Sequence, residues 1–215
     1  MVELTNLPYL EEVASKGLPV ILSTGMADLD EVRDGVTILM AGGLARGDLT
    51  ILHCTSNYPS KPGELNMLAV RTLYDEFDCD VGYSDHSSGC EAAMLAVALG
   101  ARVLEKHITL DRTMSGPDHL ASMEPDDFKT YVRAARMAIL ALGNGVKKPS
   151  KAEAENALIV RKSIVASRPI SIGEIFSKEN LTTKRPGAGM SPMRWHHVIG
   201  KQATRNFAAD EMIEV

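Results

Sequence analysis

The chain has 215 residues, 45% of them apolar and 24% charged, with a formal net charge of −5. That is the composition of a globular protein with room for one medium and one small domain. The mild acidity offers no basic field to neutralise phosphates, which argues against a nucleic-acid partner. Cys54, Cys79 and Cys90 are odd in number and form no C-x-x-C pair, no secretory leader pattern precedes them, and no apolar run reaches bilayer length. These features predict a reduced, cytoplasmic protein with no membrane segment.

Strands are predicted at Pro19–Ser23, Leu49–Cys54, Asp80–Ser84 and 101–106, each with the apolar body of a strand buried on both faces. Helices are predicted at 28–40, 64–77, 89–99 and Pro125–Leu142, where apolar residues recur at helical spacing. Strands alternating with helices imply a parallel sheet with right-handed crossovers, either half of an eight-fold barrel or a small open sheet. A run of chain breakers from Gly143 to Ser150 opens a linker over 143–160, separating a first domain (1–142) from a second (161–215). The second domain has a strand at 163–167, a strand–turn–strand at 170–176, an extended piece at 180–184, a rigid turn from Arg185 to Gly189, and a short helix within 191–200 that ends at Gly200.

All four strands of the first domain end in polar residues: Ser23-Thr24-Gly25-Met26, His53-Cys54-Thr55-Ser56-Asn57-Tyr58-Pro59, Ser84-Asp85-His86-Ser87 and Glu105-Lys106-His107-Ile108-Thr109. Burying four such ends without a use would be costly, and in a (β/α) barrel the strand C-termini form the active-site face. His86 and His107 lie about one βα unit apart, so they end adjacent strands. They read as ligands of one metal ion, with Asp85 and Glu105 as supporting carboxylates, or equally as two satisfied core histidines. The hydroxyls of Ser23, Thr24, Thr55, Ser56 and Ser84 suit phosphate or carboxylate oxygens, whereas Ser87 and Ser88 read as a helix N-cap. Asp118, in the loop 115–119, is either an ordinary surface residue or a contact for a sugar hydroxyl. Cys54 reads as an inert buried thiol. Arg185 is a solvated loop charge or a fork for a carboxylate or amide oxygen. Trp195 reads as packing, and His196 and His197 as surface residues.

These strand ends, together with Gly116-Pro117-Asp118-His119, Lys184-Arg185-Pro186-Gly187-Ala188-Gly189 and Val198-Ile199-Gly200-Lys201-Gln202-Ala203, resemble the sialic acid (N-acylneuraminate) synthases over almost the whole chain. The resemblance implies an α/β fold: the second half of a TIM-type (β/α) barrel followed by a small SAF (antifreeze-like, β-clip) domain. It implies condensation of phosphoenolpyruvate with an N-acylated amino sugar, such as N-acetylmannosamine or a bacillosamine-derived analogue, to a nine-carbon 2-keto acid and phosphate. By matching position, His86 and His107 would bind Mn²⁺ or Mg²⁺, and Glu105 would hold the metal-bound water or the histidine array. Thr55, Ser56 and Ser84 would meet phosphoenolpyruvate, and Tyr58 and Asp118 the sugar. Arg185 would reach the N-acyl group across a domain-swapped homodimer. Family members carry four further βα units upstream, with a lysine, a glutamate and a glutamine near the chemistry. The chain is therefore expected to be N-terminally truncated, inactive alone and exposed at its sheet edges, or else a non-catalytic remnant that binds sugar or mediates dimerisation.

Overall fold

A computed structural model describes residues 3–215. They form two compact units, one reaching Gly145 and the other running from Val146 to Val215.

The N-terminal unit begins with α1 (Leu7–Ala14), capped by the Asn6 side chain, which accepts the Tyr9 N–H. Next come β1 (Val20–Ser23) and α2 (Leu29–Ala41). Asp28 and Glu31 start α2 reciprocally: each carboxylate accepts the other residue's backbone N–H at 2.9 Å. The unit continues through β2 (Leu49–Cys54), α3 (Ala69–Phe77), β3 (Asp80–Asp85), α4 (Glu91–Ala98), β4 (Val103–Lys106) and α5 (Pro125–Leu142). The sheet is parallel throughout in the order β1-β2-β3-β4. This curled sheet with its helices is half of a TIM-type (β/α) barrel, and β1 and β4 are its edges among the described residues.

Alternation along the strands separates two faces. Leu22, Ile51 and Val81 pack against Val32, Val36, Leu39, Val70, Leu73 and Phe77 of the helices, so this face is the core. Tyr83 continues it against Ala92 and Ala96. Leu52, Gly82 and Val103 meet on the opposite, inner face, where a Cβ on Gly82 would lie 2.4 Å from both Leu52 Cδ2 and the Val103 carbonyl oxygen.

Two local expectations need correction. The helix expected over 64–77 begins only at Ala69, because Pro62–Glu64 forms a 3-10 turn and Asn66 takes a left-handed conformation (φ 44°). Ser87 and Ser88 do not cap α4: Cys90 holds the cap position and donates its N–H to the Glu91 carboxylate, while the Ser87 hydroxyl turns to Asp85.

In the C-terminal unit, α6 (Lys151–Val160) occupies much of the segment read as linker, started by a Ser150–Glu153 capping box. β5 (Ser163–Ala166) and β6 (Leu181–Lys184) pair antiparallel. The predicted strand–turn–strand is reduced to single bridges, Ile170 to Phe207 and Ile175 to Gln202. A 3-10 turn leads into α7 (Trp195–Val198). The core gathers Ile164, Ile170, Phe176, Leu181, Val198, Phe207 and Ile213, with Trp195 packed at its margin.

Glu174 ties this unit's turns together. Its carboxylate accepts from Arg168 at 2.7 Å, Asn180 at 3.1 Å and the Ser171 N–H at 3.2 Å. These bonds, the Arg168 one foremost, hold its pKa down to about 2, against an ordinary 4.5. Because the folded value is depressed, the stabilisation is complete above pH 4.5 and is lost as pH falls through about 2. Urea midpoints of the wild type should therefore drop over that window, and Glu174→Gln should flatten the drop. An unchanged profile in the variant would refute the assignment.

Candidate active site

The site grows from the register of β3 and β4. Ser84 lies beside Glu105, and its hydroxyl donates to Glu105 Oε1 at 2.6 Å. One step on, Asp85 lies beside Lys106 with side chains on the opposite face. One step further, His86 and His107 return to the inner face. Their ring centroids are 5.3 Å apart and their planes are inclined by 68°.

Tyr58, on the loop after β2, covers both imidazoles, with its ring centroid 4.1 Å from His86 and 5.4 Å from His107. The loop is stitched to β3 by the Ser60 N–H, which donates to the His86 carbonyl at 2.9 Å. Burial, then the charges of Cys54, Asp118 and Glu105, push the Tyr58 phenol above its ordinary pKa.

His86 is buried, and burial is the main cause that lowers its pKa, so the neutral ring is favoured. Its Nδ1 lies 2.7 Å from the Thr55 carbonyl oxygen. A carbonyl only accepts, so Nδ1 carries the proton and the Nε2 lone pair is left for a ligand. This arrangement suits a metal-binding imidazole. Among the described residues, no cluster of three or more His, Cys, Asp and Glu is placed to hold an ion.

The structure thus brings together His86, His107, Tyr58, Ser84 and Glu105. Thr55 enters through its carbonyl, while its hydroxyl is turned to the Glu64 carbonyl at 3.4 Å. Ser56 is half-buried on the same loop. Asp118 is exposed on the loop after β4 in a left-handed conformation (φ 68°). Arg185 lies in the C-terminal unit, where its Nε donates to the Val160 carbonyl at 2.8 Å. Thr24 leaves the anticipated hydroxyl rim, since it is buried and its hydroxyl donates to the Leu52 carbonyl at 2.9 Å. Cys54 is buried and its thiol pKa is pushed up to about 11, which fits an inert thiol.

Three partners escaped the sequence reading. Lys106 forms an ion pair with Asp85. Tyr131 of α5 lies beneath that ammonium, with 5.7 Å between the ring centroid and Nζ. His119 Nδ1 sits 2.7 Å from the Thr109 hydroxyl and shapes the loop that carries Asp118.

The NeuB family model matches residues 1–147 and the SAF domain model residues 161–214. The chain belongs to the NeuB family. The N,N'-diacetyllegionaminic acid synthase of Campylobacter jejuni is 51% identical over 211 residues, 98% of this chain and 63% of that protein. Its namesake in Legionella pneumophila is 46% identical over 96% of this chain and 59% of that protein. The crystal structure of the N-acetylneuraminic acid synthetase of Leptospira borgpetersenii is 37% identical and superposes with a TM-score of 0.66, covering 72% of this chain and 53% of that one. The chain therefore spans less than two thirds of the length of each of these relatives. Among the described residues of this NeuB-family chain, no helix is long and apolar enough to cross a membrane.

Proposed function

We propose that the chain serves a sialic-acid-type condensation of phosphoenolpyruvate with an N-acylated amino sugar. The observation that carries this reading is the pair of imidazoles, His86 and His107, brought together beneath Tyr58 with Ser84 and Glu105 two residues before them on the same face. In the reaction, C3 of phosphoenolpyruvate forms a carbon–carbon bond to the sugar's aldehyde carbon. Water then adds at C2, and phosphate departs with cleavage of the C–O bond.

His86 and His107 would hold Mn²⁺ or Mg²⁺, which when bound supplies Lewis-acid polarisation of the aldehyde. Glu105, steadied by Ser84, accepts hydrogen bonds from water or from the substrate at the mouth. Thr55, Ser56 and Ser84 lie toward the anionic end of phosphoenolpyruvate. Tyr58 offers a ring face and a phenol to the sugar, and Asp118 a carboxylate to its hydroxyls. Arg185, from the C-terminal unit of a second copy in a domain-swapped homodimer, binds the N-acyl oxygen. Residues 1–142 form the synthase domain and 161–215 the SAF domain. Cys54, Cys79 and Cys90 form no disulfide, in keeping with a cytoplasmic setting.

The chain alone is expected to be inactive. Ile21, on the inner face of edge strand β1, is 58% exposed, so this edge of the sheet's inner face is open to water. The test is calorimetric titration of the full chain with Mn²⁺ and then phosphoenolpyruvate, followed by an assay of phosphate release with and without N-acetylmannosamine. Binding of both ligands without turnover is the expected result. Binding of neither would favour a sugar-binding or dimerisation module. Sugar-dependent phosphate release by the chain alone would refute the expected inactivity.

A further inference from the structure

The two residues just before the imidazoles do something the inner face does not reveal. Asp85 and Lys106 are register partners on the outer face of β3 and β4, and their side chains are 0% and 2% exposed. Lys106 Nζ stands 3.5 Å from Asp85 Oδ2. The ammonium also donates to the Ser87 carbonyl and lies over the Tyr131 ring. Asp85 Oδ1 accepts from the Ser87 N–H at 2.8 Å and from the Ser87 hydroxyl at 2.7 Å. The backbone on either side of His86 is thus held from behind: Asp85 anchors one side and the doubly tied Ser87 the other. His107 follows Lys106 directly, so the same pair fixes where both rings leave the sheet.

A buried ion pair is a costly way to gain stability, since desolvation offsets most of the attraction. Its use here is positional. We propose that the Asp85–Lys106 pair is a clamp that sets the separation of His86 and His107, and that both residues are positioning residues for the cation site. For its link to a cation, this rests on the synthase reading. Its geometric part does not. Asp85 and Lys106 touch neither substrate nor ion. They act through Ser87 and the two strand ends, as a partner behind a metal-binding histidine does.

The test uses the full chain with isotopically labelled histidine and two independent readouts. One is the nuclear Overhauser effect between the His86 and His107 rings, measured without metal. The other is Mn²⁺ affinity, from the electron-paramagnetic signal of the free ion. Lys106→Met should abolish the inter-ring effect and weaken Mn²⁺ binding by about 10–100-fold. If that variant fails to fold because Asp85 is left buried and unpaired, the double variant Asp85→Leu with Lys106→Met decides, because it leaves no orphaned charge. A folded variant that keeps the wild-type inter-ring effect overturns the clamp, as does a wild type that shows no such effect. A wild type that shows the inter-ring effect but binds no Mn²⁺ removes the metal assignment, and loss of the effect in the variants still upholds the clamp.

Discussion

His86→Ala and His107→Ala are each expected to weaken Mn²⁺ binding by more than about 100-fold, beyond the range that loss of a supporting residue produces. The imidazoles are the two protein ligands proposed for the ion, and no larger cluster of His, Cys, Asp and Glu stands among the described residues to replace one of them. Their contribution depends on neutral rings, and burial favours that form for His86. His53 provides an internal control. It is a half-buried histidine on a strand of the same sheet, and burial lowers its pKa as it does that of His86. Its ring, however, stacks on Tyr83 on the outer face, with Nε2 2.8 Å from the Leu65 carbonyl oxygen. His53→Ala should leave Mn²⁺ affinity unchanged. Titration of the three variants with Mn²⁺, reading free ion by electron paramagnetic resonance, separates the outcomes. Equal losses in all three would mean that general damage to the sheet, and not ligation, governs binding.

The contrast between His53 and His86 also marks how far the sequence could be read. Both are strand-end histidines, and spacing along the chain does not tell which face each occupies. The pairing of His86 with His107 was legible because one βα unit separates adjacent strand ends in a parallel sheet. Register then placed the two on the same face. β2 and α5 were legible to the residue, the first from its apolar run and the second from Pro125 at the first helical turn and its apolar stripe. α1 and α6 were missed although each carries a start signal: Asn6 followed by a proline in the first turn, and the Ser150–Glu153 capping box. In α6 the signal sat directly after the breakers around Gly143 and Pro149, which dominated the reading of that segment. The false start of α3 had the opposite cause. Leu65 and Leu68 fit a helical stripe, yet the left-handed Asn66 interrupts it, and Leu65 serves the sheet through its carbonyl, which accepts from His53 Nε2. The Asp85–Lys106 pair was beyond any local pattern. Lysine at a strand end reads as a solvated charge until the register shows a buried carboxylate beside it.

Phe176→Ala is expected to destabilise the C-terminal unit by about 3–5 kcal/mol, the usual cost of deleting a buried aromatic ring. Phe176 is 0% exposed and meets Phe207 edge-on, with ring centroids 5.8 Å apart. Its backbone also closes the unit: its N–H donates to the Lys201 carbonyl and its carbonyl accepts from the Gly200 N–H, both at 2.8 Å. A small unit buries too little surface to absorb such a loss, so most of its stability should go. Ile172, 65% exposed on the neighbouring turn, is the matched control, and Ile172→Ala should stay within about 0.5 kcal/mol. Urea unfolding followed by Trp195 fluorescence, the single tryptophan at the margin of this core, reports on this unit directly. The result bears on Arg185 as well. The turn that follows it is held by Ser163, whose hydroxyl donates to the Pro186 carbonyl at 2.7 Å and accepts from the Gly189 N–H at 2.9 Å. Ser163 is fully buried at the start of β5, and its neighbour Ile164 belongs to the same core as Phe176. Loss of that core would release the turn and, with it, the fixed bond from Arg185 to the Val160 carbonyl. Equal destabilisation by the Phe176 and Ile172 variants would show that the unit is not organised around the phenylalanine pair, and the mechanical link from core to Arg185 would fall with it.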